Sequence, residues 1–287
     1  MYKVRQLFIY PIKSLAGFEV ASAMLTDRGF QHDRRWMLVD SSNVFITQRQ
    51  YPEMCLLQTA IENDELIVFH KNNPEDQLRL SLQPAPTSTF KVKIWDDECE
   101  AQAEGDTAGK WFSNKLSTQC KLVYMPHNTR RKVDDEYVSE YGITNFSDAF
   151  PLLIIGQASL DDLNSRLQEP LPINRFRPNI FFEGGSAYDE DIMQEVLIGK
   201  IKMLGVKLCA RCPITTINQA DAHKTKEPLN TLAGYRMKNN KVYFGQNLLH
   251  TQIGQVKVGD AIEIVRRKVP ALFNTIVAAD KNALNTT

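Results

Sequence analysis

The segment Cys209-Ala210-Arg211-Cys212-Pro213 holds the densest reactive chemistry in the sequence: two thiols three positions apart, with a guanidinium between them. Several chemistries compete for such a pair. A structural zinc site takes four ligands, commonly from two such pairs, and no second pair exists. A thioredoxin-like redox pair sits at a helix N-terminus in a βαβ setting. Here Pro213 and the β-branched run Ile214-Thr215-Thr216-Ile217 follow instead. A single thiolate ligand to a soft metal needs only one of the two cysteines, and Arg211 beside Cys212 would favour its thiolate. Two small, buried, inert thiols are a fourth reading. Spacing alone does not choose among them.

Other segments join a cation to a hydroxyl or a tight turn. Tyr10-Pro11-Ile12-Lys13-Ser14 offers an ammonium and a hydroxyl at the end of a strand-like run. Asp33-Arg34-Arg35-Trp36 begins another strand, and Asn174-Arg175-Phe176-Arg177-Pro178-Asn179 sets two guanidinium groups before an apolar one. Guanidinium forks match phosphate oxygens bidentately, whereas lysine acts as a point charge. No Walker loop, Gly-x-Gly-x-x-Gly, Gly-x-Ser-x-Gly or His-Glu-x-x-His pattern occurs. The five histidines are scattered, which argues against a histidine-rich metal site; His32 and His223 are conceivable proton donors.

The elements that must position these groups are mostly strands. Period-2 alternation is clear in Leu78–Leu82 and Phe90–Ile94, the pattern of strands with one buried face. Further strands are expected at Val4–Ile12, Phe18–Leu25, Arg35–Val39, Val44–Gln48, Cys55–Ile61, Glu65–His70 and Lys121–Met125. Spacing near ten residues favours a barrel or sandwich. A helix over Thr107–Leu116 interrupts them, and Ser159 with Asp162 reads as the capping box of a second. Later strands are expected at Ile180–Phe182, Glu195–Ile198, Lys200–Leu208 and Val242–Phe244, with a closing hairpin Gln255–Val258 / Ala261–Val265. The charge run in residues 127–141 reads as a solvated face, and Ala271–Asp280 as a short terminal helix.

Composition bounds the partners. The 287 residues carry 34 basic and 34 acidic side chains, and this balance lacks the cationic excess that nucleic acids or anionic membranes attract. No run is long enough to span a membrane, and the charged N-terminus does not resemble a signal peptide. Five cysteines, an odd number, suit a reducing compartment. The expectation is a cytoplasmic protein with neither a nucleic-acid partner nor a membrane span.

In this order, the segments quoted above resemble the MOSC-domain proteins that bind the molybdenum cofactor, and most closely the amidoxime-reducing group among them. Further matches are Ala158–Leu167, Phe176–Ile180, Leu197-Ile198-Gly199, Cys209–Thr216, Lys226–Leu229, Phe244-Gly245-Gln246 and Val256–Asp260. The resemblance implies a mostly β (α+β) chain. An N-terminal β-barrel domain would cover about residues 1–122 and a MOSC β-barrel domain with a few helices 123–268, leaving 269–287 as a tail. It implies a Mo-molybdopterin cofactor whose metal takes one protein thiolate, at the position of Cys212. Lys13, Ser14, Arg34 and Arg177 match positions that hold the pterin and its phosphate, and Ala210 and Arg211 match contacts flanking the ligand. Ala149-Phe150 stands where relatives carry Thr-Ser, Asn247 where they carry tyrosine, and Ala210 where they carry serine.

The activity implied is reduction of small N-hydroxylated compounds: amidoximes, hydroxylamines and N-hydroxylated bases. No cysteine follows Cys212, so a C-terminal iron–sulfur domain is not expected. Electrons would come from a separate protein of flavin reductase, ferredoxin or cytochrome type. The alternative is a sulfur-carrier or cofactor-binding protein in which Cys212 bears a persulfide.

Overall fold

A computed structural model describes residues 1–133, 136 and 142–273. It is mostly β. Seven strands close a barrel in the order Leu152–Gly156, Ile180–Glu183, Tyr2–Ile9, Ala261–Arg267, Met193–Ile198, Ile201–Ala210 and Lys241–His250; the last pairs back onto the first. All neighbours are antiparallel except the parallel pair Leu152–Gly156 and Ile180–Glu183, which the helix Gln157–Asn164 connects, as a parallel crossover requires. The interior is filled by Val4, Leu7, Leu152, Ile154, Ile180, Phe182, Val196, Met203 and Leu248, all nearly or fully buried. Closure gives each of the seven strands a partner on both sides.

The other part holds a four-stranded sheet, Trp36–Val39, Lys121–Tyr124, Asp97–Ala103 and Thr89–Ile94, and a three-stranded sheet, Leu57–Glu62, Glu65–His70 and Asn73–Ser81. Trp36, Leu57, Leu66, Leu80 and Leu122 share a core there with Ala108, Phe112 and Leu116 of the helix Asp106–Leu116. The two parts interleave. The chain's first strand lies inside the seven-stranded barrel, and Gly254–Lys257 pairs with Ser22–Thr26. A cut at residue 122 therefore parts the first strand from its partners.

Several local expectations fail for identifiable reasons. Gln255–Val258 and Ala261–Val265 form no hairpin with each other: the first pairs with residues 22–25, the second with Met193–Ile198 and Tyr2–Ile9. Alternation marks a strand but not its partner. Ser159 does not cap its helix, which begins at Gln157; its hydroxyl is turned inward and donates to Glu190 at 2.7 Å. Val44–Gln48 makes isolated bridges only. Asp97–Ala103, poor in β-branched residues, is a strand because its neighbours on both sides pair with it. Arg131, from the supposedly solvated charge run, is buried. The terminal helix expected over Ala271–Asp280 lies mostly outside the described residues.

Two irregularities in Ile201–Ala210 set the course of the chain into Cys209–Cys212. The register of this strand against Lys241–His250 shifts between Gly205 and Lys207, and again between Leu208 and Ala210. A Cβ at Gly205 would collide with the Met193 carbonyl, so only glycine lets the strand pass that close. Bulges bend a strand and re-aim its side chains. The second shift falls at the start of the cysteine motif, and Pro213–Thr216 carries the chain on as a 3-10 turn.

Candidate active site

Lys13, Ser14, Arg34, Ala149, Phe150, Arg177, Ala210, Arg211, Cys212 and Asn247 come from distant parts of the chain, and all line one cavity of about 300 Å³. Lys207 also lines it, so five cations face a single carboxylate, that of Asp148. His32 and His223 are not among its walls.

Three of the polar positions are held in left-handed backbone conformations: Ser14 at φ 68°, Arg34 at 49° and Arg177 at 55°. Non-glycine residues adopt this region rarely, and such strain gathers at functional sites when surrounding bonds enforce it. Here those bonds are visible. The Arg34 amide donates to the Tyr10 carbonyl at 2.7 Å. Its Nη1 reaches the buried Asp33 carboxylate at 2.5 Å and Asn179 Oδ1 at 3.1 Å. Arg177 Nη1 donates to the Leu15 carbonyl at 2.7 Å. Both guanidinium groups lie 4.3 Å from the centre of the Tyr10 ring, within cation–π range. Burial pushes the Tyr10 phenol up to about 12 and brings the Arg177 guanidinium down to about 10. Tyr10 is thus a neutral platform that spaces two cations.

Lys13 Nζ donates to the Phe146 carbonyl at 2.8 Å and to Asp148 Oδ1 at 2.5 Å. Burial lowers the Lys13 ammonium, and Asp148 opposes that. Asp148 is exposed at the cavity mouth, and Lys13 with the Trp95 indole N–H holds its carboxyl well below the usual carboxylate range. The pair is therefore ionic. Arg131 secures the loop behind it, donating to the carbonyls of Asn145, Ser147 and Asp148 and to the Asp97 carboxylate.

The two cysteines are placed differently. Arg211 Nη1 lies 3.1 Å from Cys209 Sγ, and its Nη2 donates to the Phe176 carbonyl at 2.6 Å. The guanidinium thus reaches back to Cys209 rather than on to Cys212, beside the register shift between Leu208 and Ala210. Cys209 also packs against the Phe176 and Phe244 cluster, and burial raises its thiol although Arg211 opposes the rise. Cys212 precedes the 3-10 turn, and its carbonyl accepts from Thr215. Asn247 Nδ2 is tied to the Lys207 carbonyl at 3.1 Å, and Phe150 packs with Val133 and Leu249. Ala149 and Ala210 present only small, exposed surfaces.

Asp148, Tyr10, Asn179 and Arg131 were missed as site builders. Tyr10, Asp148 and Asn179 sit within or next to the segments singled out, so adjacency was the available signal. For Arg131 there was none, since a basic triplet reads as solvated.

Among the described residues no cluster of three or more His, Cys, Asp or Glu side chains could hold a metal ion. A metal at Cys212 would need ligands that arrive with it. The cavity fits an anionic group bearing such ligands: its walls are rich in cations, Arg211 Nε is buried without a partner, and two half-buried thiols, Cys209 and Cys212, line it.

Comparison with known proteins agrees with this architecture. Residues 1–119 match the MOSC N-terminal beta barrel domain and residues 142–263 the MOSC domain. The chain is 32% identical over 279 residues to mitochondrial amidoxime-reducing component 1 of Mus musculus, covering 91% of this chain and 82% of that protein. The human component 1 is likewise 32% identical over 280 residues, with 91% and 82% covered. Molybdenum cofactor sulfurase of Oryza sativa subsp. japonica is 33% identical over 261 residues, 84% of this chain but 32% of that protein. With both domain models matched and such identity along nearly its whole length, this chain belongs to the MOSC-domain family, among the relatives of the mitochondrial amidoxime-reducing components.

Proposed function

We propose that this protein is a molybdenum-cofactor-dependent reductase of N-hydroxylated compounds, with Cys212 as the protein thiolate and a separate protein as electron donor. One observation carries the reading: five cations from four separate stretches of the chain, Lys13, Arg34, Arg177, Lys207 and Arg211, line a single cavity beside the Cys212 thiol. Relatives named for amidoxime reduction support the substrate class. When bound, the cofactor would supply the redox chemistry that cleaves an N–O bond, consuming an electron pair and two protons and releasing water.

The chain's own residues hold and orient. Lys13, Arg34 and Arg177 offer charge to an anionic tail, with Tyr10 and Asn179 fixing the two guanidinium groups. Ser14, on its strained turn, brings a hydroxyl to the same end. Arg211 holds the strand end through Phe176, so that Cys212 projects from a braced turn. Ala149, Phe150, Ala210 and Asn247 shape the remaining wall, and the small side chains leave backbone groups there as the polar contacts.

The test is the metal and pterin content of protein made in a host that synthesises the cofactor, for the native chain and Cys212→Ser. Stoichiometric molybdenum and pterin, with altered metal ligation in the variant and donor-coupled reduction of an amidoxime, are expected. Absence of both from protein made in a competent host overturns the reading. The similarity to a molybdenum cofactor sulfurase over most of this chain favours one alternative, a sulfur carrier. A labile persulfide on Cys212 without bound metal would establish it.

A further inference from the structure

Arg34 and Arg35 are adjacent in sequence but line different cavities. The second cavity, of about 150 Å³, is bounded by Arg28, Arg35, Tyr124 and Phe30, all buried, and opens between Gln31, Gln83 and His127, which are exposed. His32, Asp27 and Asn145 complete its polar walls.

Arg35 is 5% exposed, yet it forms no ion pair among the described residues. Its Nη2 donates to the Tyr124 hydroxyl at 2.6 Å, its Nη1 reaches Asn145 Oδ1 at 3.4 Å, and its guanidinium lies 4.7 Å from the Tyr124 ring centre. A guanidinium has five N–H donors, so much of this fork has no protein acceptor. Asp27 acts on Arg35 through its field but makes no ion pair with it, and its oxygens are engaged by Arg28 at 3.0 Å and by Arg130 at 3.2 Å. Arg28 spends its remaining donors on the Thr129 and His127 carbonyls. A buried charge with no directly paired counter-charge is costly.

Both histidines report the same excess of positive charge. Burial first, and Arg35 second, lower the His32 imidazole, with Asp64 opposing. At His127 burial, Arg35 and Arg28 act together against Asp27. Neutral rings still offer one N–H each. The cavity walls are therefore rich in donors, and the Asn145 and Asp27 acceptors are already in use.

We propose that this second cavity binds a small tetrahedral oxyanion, either free phosphate or the phosphate end of an ester, gripped by the Arg35 fork between His32 and His127. A guanidinium fork presents parallel donors at the spacing of phosphate oxygens. His32 and His127 line the same cavity.

The experiment is a titration of inorganic phosphate into the protein in chloride buffer, followed through the ring resonances of its five histidines. It is repeated in Arg177→Ala, where the larger cavity is weakened. His32 and His127 are expected to shift together and saturably in both backgrounds. Arg35→Gln should weaken binding at least about tenfold, as loss of a charge-assisted contact implies. Should Arg35→Gln not fold, His127→Gln, at the exposed mouth, should weaken it by a smaller factor. Glycerol phosphate separates the sources. Equal binding means that a phosphate terminus is read, binding of inorganic phosphate alone means that the free ion is, and both support the site. No saturable shift at His32 and His127 overturns the proposal. So does binding that Arg177→Ala abolishes while the Arg35 and His127 variants leave it unchanged.

Discussion

Arg211 Nη1 donates to Cys209 Sγ at 3.1 Å while Cys212, one residue further along, is left to the 3-10 turn. Both cysteines of this short motif line the cavity, but Cys209 accepts from the Arg211 guanidinium against the Phe176 and Phe244 cluster, whereas Cys212 opens the 3-10 turn. Cys212→Ser should abolish reductase activity, since a hydroxyl is a harder and far less acidic ligand. Cys209→Ser keeps an acceptor for Arg211 and should retain most of it. Parallel activity and metal assays check this, and equal loss in both variants would mean that the pair acts as a unit.

Arg177→Ala removes a cation from the cavity and leaves the Leu15 carbonyl without its donor. Pterin retained after gel filtration should fall markedly while the fold persists. Tyr10→Phe is the companion change. It keeps the ring between the two guanidinium groups but deletes the hydroxyl bond to the Pro178 carbonyl, and should cost about 1 kcal/mol of stability with pterin content preserved. Unchanged pterin in Arg177→Ala would contradict the role given to that side chain.

Arg131→Met strips donors from the carbonyls of Asn145, Ser147 and Asp148 at once. The expected loss is about 2–4 kcal/mol, read by chemical denaturation. Because that loop carries Asp148 to Lys13, pterin retention should fall as well. A variant as stable as the native chain would show that the loop has another anchor.

Glu190 gives a pH dependence remote from the cavity. Burial, reinforced by the Asp191 charge, raises its carboxyl to about 7. A folded-state pKa above the unfolded one means that the folded chain binds more protons between the two. Stability therefore falls as pH rises from the ordinary glutamate range to about 7, and levels off above it. The loss is on the order of 3 kcal/mol. In Glu190→Gln this component should vanish, so that unfolding free energies at pH 5 and pH 8 draw closer together. A variant with the native slope would assign the effect elsewhere.

The sequence by itself determined the strand-rich class, most strand positions and the set of segments that meet at the cavity. These are local properties: alternation records which face is buried, and cation–hydroxyl turns are short enough to be read in a single stretch. The ordered resemblance of the segments added the family, and with it Cys212 over Cys209, a choice that spacing had left open. Tertiary structure alone decided who pairs with whom. Gln255–Val258 found Ser22–Thr26 rather than its sequence neighbour, and the first strand entered the seven-stranded barrel, because register and partner are settled by burial across the whole chain. Charge placement was equally non-local. Arg131 and Arg35 look like surface cations in the sequence, yet both are buried, one by carbonyls of a distant loop and the other beside the Tyr124 ring. Nor could any local pattern foretell that Arg211 would reach Cys209, since the strand's register shifts between Leu208 and Ala210, just before it.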